Sequence, residues 1–127
     1  MWSFCYDLPL LSSGNMLKKE ILRKNEDFSV VYKKGKSVPD RFVVVFYKKN
    51  DLRYNRISFL ASKKVGNSVQ RNRAKRLMKE TYRHICSDIK EGYDIIFIAR
   101  KTINGKKYND VYKSMNNAVR KADLFTA

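Results

Sequence analysis

Three runs of β-branched and aromatic residues and three stretches of helically spaced apolar residues divide this chain into six predicted elements. The first helix starts at Asn25, read as its cap. Glu26 and Asp27 suit its positive N-terminal end, and Gly35 stops it after Lys33 and Lys34. Phe28, Val31 and Tyr32 share one face of it at i, i+3 and i+4. Beyond Pro39, Arg41–Tyr47 (RFVVVFY) reads as a strand apolar on both faces, Phe42, Val44 and Phe46 on one and Val43, Val45 and Tyr47 on the other. That is the pattern of a central strand covered on both sides. Val38 either extends this strand or forms a short one of its own. Arg56–Ser62 (RISFLAS) is the second strand, a helix follows over 68–89 with Gly92 closing it, and Tyr93–Arg100 (YDIIFIAR) is the third strand. Asn104-Gly105 marks a turn, and Asn109 caps a last helix to about Ala122 with Val111, Met115, Ala118 and Ala122 as its apolar stripe. The order is helix, strand, strand, helix, strand, helix.

Residues 1–15 (MWSFCYDLPLLSSGN) do not share this patterning. They hold no Lys or Arg, and lack both the positive start and the long apolar centre of a secretory signal. Met16-Leu17-Lys18-Lys19 resembles a second beginning. The expectation is a disordered extension over 1–15 and a single domain over 16–127.

Charge changes the picture more than length does. The 127 residues carry 28 Lys and Arg against 12 Asp and Glu, a net charge of +16, while 43% of positions are hydrophobic. The chain can therefore build a core, yet it repels itself, a cost usually retained for a polyanionic partner. Nucleic acid is the first candidate and an anionic membrane surface the second. No apolar run reaches the length of about 18 residues that a spanning helix needs.

Cys5 and Cys86 are the only cysteines and His84 the only histidine. Two distant thiols make no disulfide framework, and the reduced, cytoplasmic compartment is the simplest home. Ligands for a zinc finger or knuckle are missing, and a two-histidine RNA-cleaving site is impossible. His84 and Cys86 lie two apart, so on a helix they point away from each other and form no thiol–imidazole pair. No catalytic residue and no metal site is expected on the chain.

The densest signal is Ser62–Glu80 (SKKVGNSVQRNRAKRLMKE), where Lys63, Lys64, Arg71, Arg73, Lys75, Arg76 and Lys79 face Glu80 alone. At about 100° per residue, Ala74, Leu77, Met78, Thr81, Tyr82, Ile85 and Ile89 make a packing arc. Asn72, Lys75, Arg76, Lys79 and Arg83 make a neighbouring contact arc, flanked by Arg71 and Arg73. Arginines bind phosphate in a bidentate manner, and Asn72 can address a base edge or a 2′-hydroxyl. The Lys63-Lys64-x-Gly66-Asn67-Ser68 turn sets backbone N–H groups of the helix start beside two ammonium groups, a suitable place for an anion. The alternative is a solvated basic face with no partner.

This run resembles the signature of the bacterial ribonuclease P protein subunit, with Arg71-Asn72-Arg73 and then Lys75-Arg76 at that family's RNR position. LRKNEDFSVVYKKGKS over 22–37 is similar to the family's first helix and its exit, and Tyr93–Arg100 to one of its strands. The resemblance runs from about Leu17 to the C-terminus. It implies an α+β fold, a compact α/β sandwich around a central sheet, with a strand–helix–strand crossover of the uncommon left hand, where general rules favour the right. It implies a protein that binds a catalytic RNA, which uses Mg²⁺ to cut the 5′ leader from precursor tRNA, and no organic cofactor. The RNA-binding set it implies is Lys63, Lys64, Asn67, Arg71, Asn72, Arg73, Lys75, Arg76 and Lys79.

A cleft for the single-stranded leader, lined by Phe28, Tyr32 and Phe46, is implied as well. Taken from the residues alone, Phe28 and Tyr32 suit a core equally well. Ser58 and Leu60 stand where the family more often has glycine and serine, which would narrow the sheet side of that cleft. Two other functions compete: a small RNA-binding module unconnected to cleavage, and a protein-only nuclease, for which no carboxylate or histidine cluster is in sight.

Overall fold

A computed structural model of the chain describes residues 21, 22 and 24–126; the extension expected over 1–15 lies outside them, and so does Cys5. Helix α1 (Asn25–Lys34) leads into strands β1 (Lys36–Pro39), β2 (Val43–Lys49) and β3 (Arg56–Ala61). Helix α2 (Ser68–Ile85), strand β4 (Tyr93–Ala99) and helix α3 (Tyr108–Lys121) complete the order. The sheet runs β1-β2-β4-β3. Strand β2 is antiparallel to both β1 and β4, while β3 and β4 are parallel and joined through α2. Val38 belongs to a short edge strand of its own, which ends at Pro39, where the missing N–H costs no ladder bond.

The period-two alternation of the strands sorts the interior into two layers. Val43, Val45, Ile57, Ile95, Phe97 and Ala99 face α2 and α3, where Ala74, Met78, Ile85, Met115 and Val119 meet them. Phe59, Tyr82 and Phe97 form an aromatic trio with ring centroids 5.6–6.0 Å apart, which fixes α2 to the sheet. On the opposite face Ile96 packs with Val31 and Leu22, and Phe28, Phe46, Leu60 and Ile98 surround them, so α1 covers that side. The strands are apolar on both faces because helices cover both.

Helix boundaries differ from the sequence reading at three points. Asn25 is the first residue of α1 and not its cap; Lys24 holds the cap position without a side-chain bond. Tertiary pairing sets this start, since Leu22 donates its N–H to the Ile57 carbonyl at 3.0 Å and delivers the chain to the helix. Asn109 lies inside α3, and Lys107 holds the cap position because the Asp110 carboxylate, three residues on, accepts its N–H at 3.1 Å. Helix α2 ends at Ile85 and not at Ile89. Cys86–Asp88 tightens into a 3₁₀ turn, and Ile89 leaves to bridge Phe125. Gly92, at φ +92°, then serves the turn into β4 and not the helix end.

At the exit of α1, Gly35 is extended and not left-handed. A Cβ there would lie 2.5 Å from both the Tyr47 and Val31 carbonyl oxygens, so glycine is what lets α1 approach β2 this closely.

Asp40 ties the β1–β2 turn to α3. Its carboxylate accepts from Ser114 Oγ at 2.7 Å and faces Lys121 Nζ at 3.2 Å, and Ser114 Oγ in turn accepts the Phe42 N–H at 3.1 Å. Burial alone would raise the Asp40 carboxyl, but bonds from Ser114 and the Arg41 backbone, with the Lys121 charge, take it below its ordinary value. A depressed folded-state pKa stabilises above the unfolded value of about 3.9 and is lost as pH falls through the folded one. Asp40→Asn is expected to lower stability by about 1–2 kcal/mol at pH 7. Thermal melts should show that deficit shrinking below about pH 4; a deficit independent of pH would count against this account.

Candidate nucleic-acid interface

The entry to α2 is built by its own side chains. Asn67 caps the helix, its side chain accepting the Gln70 N–H at 3.0 Å, while Gln70 Oε1 accepts the Asn67 N–H at 2.9 Å. Gly66 sits at φ +148°, and a Cβ there would collide with the Gln70 amide that closes the box. Buried Val65 anchors the turn beneath, its carbonyl accepting from Asn104 Nδ2. Lys63 and Lys64 are left exposed beside the helix start. Asn67 thus has a structural task that the sequence reading did not assign to it; its exposed position still borders the two lysines.

Along α2 the split between packing and charge holds. Ala74, Met78, Thr81, Tyr82 and Ile85 are buried, and Leu77 is half-buried. Asn72, Arg76 and Lys79 are exposed, while Arg71, Arg73 and Lys75 are half-buried. Consecutive residues of a helix diverge by about 100°. Arg71-Asn72-Arg73 therefore fans out: Arg73 leans toward α3, Arg71 toward the opposite flank, and Asn72 points outward between them. Arg73 Nη2 donates to the Lys106 carbonyl at 2.6 Å, which fixes the guanidinium against the loop before α3.

Arg83, placed on the contact arc by spacing, is turned to Glu80. It donates to that carboxylate at 2.7 and 3.3 Å, and His84 Nε2 lies 3.2 Å from the same group. The Arg83 hydrogen bonds, foremost, hold Glu80 below the usual carboxylate range, against the opposing effect of burial. Glu80 is the sole acid on α2, and its charge is matched locally. The outward cations are left for a partner.

The aromatic set lies on the other side of the sheet. Phe28 stacks on Tyr32 with centroids 6.4 Å apart, and Tyr32 meets Phe46 edge-on at 5.0 Å. Phe28 and Phe46 are half-buried against the Ile96 layer, whereas Tyr32 is 43% exposed. Phe28 therefore packs, as a core residue would, while Tyr32 presents a face to solvent. Ser58, buried, and Leu60, half-buried, lie on the same sheet face and belong to the floor beneath α1.

Spacing alone did not reveal what fixes α1 over that floor. Arg56 and Asp94, register partners on β3 and β4, form a bidentate pair at 2.8 and 2.6 Å, and Arg56 Nη1 reaches Asp27 of α1 at 3.3 Å. Asn50 adds a bond to Asp94 at 2.9 Å. Its hydrogen bonds to Asp94, ahead of the opposing effect of burial, hold the Arg56 guanidinium above its ordinary pKa. The one sequence signal was a lone acid and a lone base each opening an apolar strand.

Among the described residues no group of three or more His, Cys, Asp or Glu is arranged to hold a metal ion, and no helix is long and apolar enough to cross a membrane. Cys86 is buried, with its thiol 3.7 Å from the Arg83 carbonyl.

A sequence model of the family Ribonuclease P matches residues 16–123. The ribonuclease P protein component of Clostridium botulinum is 44% identical over 110 residues, covering 86% of this chain and 99% of that protein. That of Alkaliphilus metalliredigens is 45% identical over 105 residues, covering 83% and 95%. Among solved structures, the Staphylococcus aureus RNase P protein superposes with a TM-score of 0.77 at 34% identity, covering 84% of this chain and 98% of the other. The Thermotoga maritima RNase P protein gives 0.73 at 30% identity, covering 80% and 96%.

Proposed function

The chain belongs to the bacterial ribonuclease P protein family, and from that premise we propose that it docks on the catalytic RNA of ribonuclease P and holds the 5′ leader of precursor tRNA. The observation that carries this reading is the charge-separated helix α2. Its packing side is closed by the sheet, while Asn72, Arg76 and Lys79 stand in solvent with Lys63 and Lys64 close to the helix start. Such a face suits phosphates, with Arg71, Arg73 and Lys75 along its flanks. The cleft of Phe28, Tyr32 and Phe46 suits unstacked leader bases, and its place across the sheet leaves it clear of RNA bound on α2.

In this reading the chain supplies binding and the RNA supplies chemistry. Mg²⁺ bound by the RNA subunit would supply the chemistry, activating water for hydrolysis of the phosphodiester. The residues of this chain hold the helix face, the leader and their mutual distance. The assembly works in the cytoplasm as a ribonucleoprotein.

Reconstitution tests this. A bacterial ribonuclease P RNA at low Mg²⁺ is expected to cleave precursor tRNA markedly faster with the protein than without it, and no stimulation would sink the proposal. Equal affinity for an unrelated structured RNA would favour a general RNA-binding module instead, and cleavage by the protein alone a nuclease. Contact with about six phosphates predicts a log–log salt slope near −4 to −5. Tyr32→Ala, at an exposed position, is expected to reduce the preference for precursor over mature tRNA about tenfold, the value of one stacked base. Competition binding with the two tRNA forms reads this directly; an unchanged preference would remove Tyr32 from the leader contact.

A further inference from the structure

Between α2 and the start of α3 lies an open groove of about 460 Å³, lined by Arg73, Arg76, Leu77, Glu80 and Tyr108. That volume is in the range of small-ligand sites. The four α2 residues recur at i, i+3, i+4 and i+7 and so form one stripe. Its floor is apolar: Leu77 and Tyr108 are both half-buried. The Tyr108 ring continues into a row, 6.0 Å from His84 and 5.9 Å from Tyr112. Burial, with smaller contributions from Glu80 and Tyr112, raises the Tyr108 phenol, so it stays neutral. At one end Arg73 is held in place by the Lys106 carbonyl. The leader cleft lies across the sheet and does not include this groove.

We propose that the groove takes one unstacked, amino-bearing nucleobase of the bound RNA, its ring on Leu77 and Tyr108, its flanking phosphate between Arg73 and Arg76, and its amino group donating to Glu80. The inference rests on the RNA-binding reading above and adds a base-selective subsite to it. Two guanidinium groups beside an aromatic floor match a nucleotide in both charge and surface. Selectivity follows from Glu80. Ionised, it only accepts hydrogen bonds, and its two oxygens offer about four lone-pair sites. Arg83 Nε takes one site on Oε1, while Arg83 Nη2 and His84 share Oε2. One site on Oε1 is left for an N–H. Cytosine offers a 4-amino donor there, whereas uracil presents a 4-oxo acceptor to the carboxylate.

The test uses methyl-labelled full-length protein titrated with the pentaribonucleotides UUCUU and UUUUU and followed by NMR. The Leu77 methyls report the groove; those of Leu60 and Ile98 report the leader cleft. UUCUU is expected to move Leu77 at a concentration about tenfold lower than UUUUU does, roughly one hydrogen bond to a charged acceptor. In Glu80→Gln that preference should vanish, with the Leu60 and Ile98 responses following wild type. Movement at Leu60 and Ile98 with Leu77 silent would overturn the groove site and leave the leader cleft standing. Equal affinities for the two oligomers at Leu77 would overturn the amino-group selectivity. Silence at all three positions would count against the RNA-binding reading itself.

Discussion

Changing Arg76 and Lys79 together to alanine is expected to weaken binding to ribonuclease P RNA about a hundredfold, each lost phosphate contact accounting for about tenfold. The same pair should make the salt dependence shallower by about 1.5–2 in log–log slope. Both side chains are exposed, and no hydrogen bond or ion pair among the described residues engages either. Alanine is also the best helix former, so α2 should melt as before. This is what separates the pair from Arg71 with Arg73. Removing Arg73 also frees the Lys106 carbonyl and the loop before α3, and a lost affinity there would mix contact with fold. Fluorescence anisotropy over a range of KCl concentrations, with thermal melts alongside, distinguishes the cases. A weakened complex with an unchanged salt slope would mean that Arg76 and Lys79 do not meet phosphates.

The legible parts of this chain were those set by local periodicity. RFVVVFY announced a strand covered on both faces and YDIIFIAR a strand, and β2 and β4 are the two central strands. The packing side of α2 was readable because charge and apolar side chains segregate at helical spacing. Helix starts were less readable, since a cap depends on where the chain arrives. The pairing of Leu22 with Ile57 begins α1 one residue earlier than Asn25 as a cap suggested, and Asp110 begins α3 two residues earlier than Asn109 suggested. Consecutive residues also hid a division of labour. Arg71-Asn72-Arg73 reads as one motif, yet its members leave the helix in three directions, and only the packing of α3 beside α2 gives Arg73 a partner and makes a groove. The Asp94–Arg56–Asp27 cluster needed the parallel pairing of β3 with β4, which joins residues 38 positions apart.

That cluster is where stability and the proposed leader binding meet. Asp94→Ala is expected to cost about 3 kcal/mol, the lower end for removing one partner of a buried ion pair, because Arg56 keeps a quarter of its side chain in solvent. Against a total of about 5–15 kcal/mol, this should lower the melting temperature by about 10 °C or more. The loss should also reach function. Without Asp94, Arg56 loses its bidentate anchor and keeps the weaker contact to Asp27, so α1 is held less firmly over Phe46 and Leu60. At a temperature where the variant is still folded, preference for precursor over mature tRNA should fall, while affinity of α2 for the RNA is retained. Replacing both partners, as in Arg56→Met with Asp94→Leu, removes the unpaired charge and should recover much of the stability. Leader preference in that double variant then reports what the tether itself contributes: a return to wild-type preference would mean that packing alone positions α1. A single variant melting like wild type would show that Asp94 is not the anchor described here.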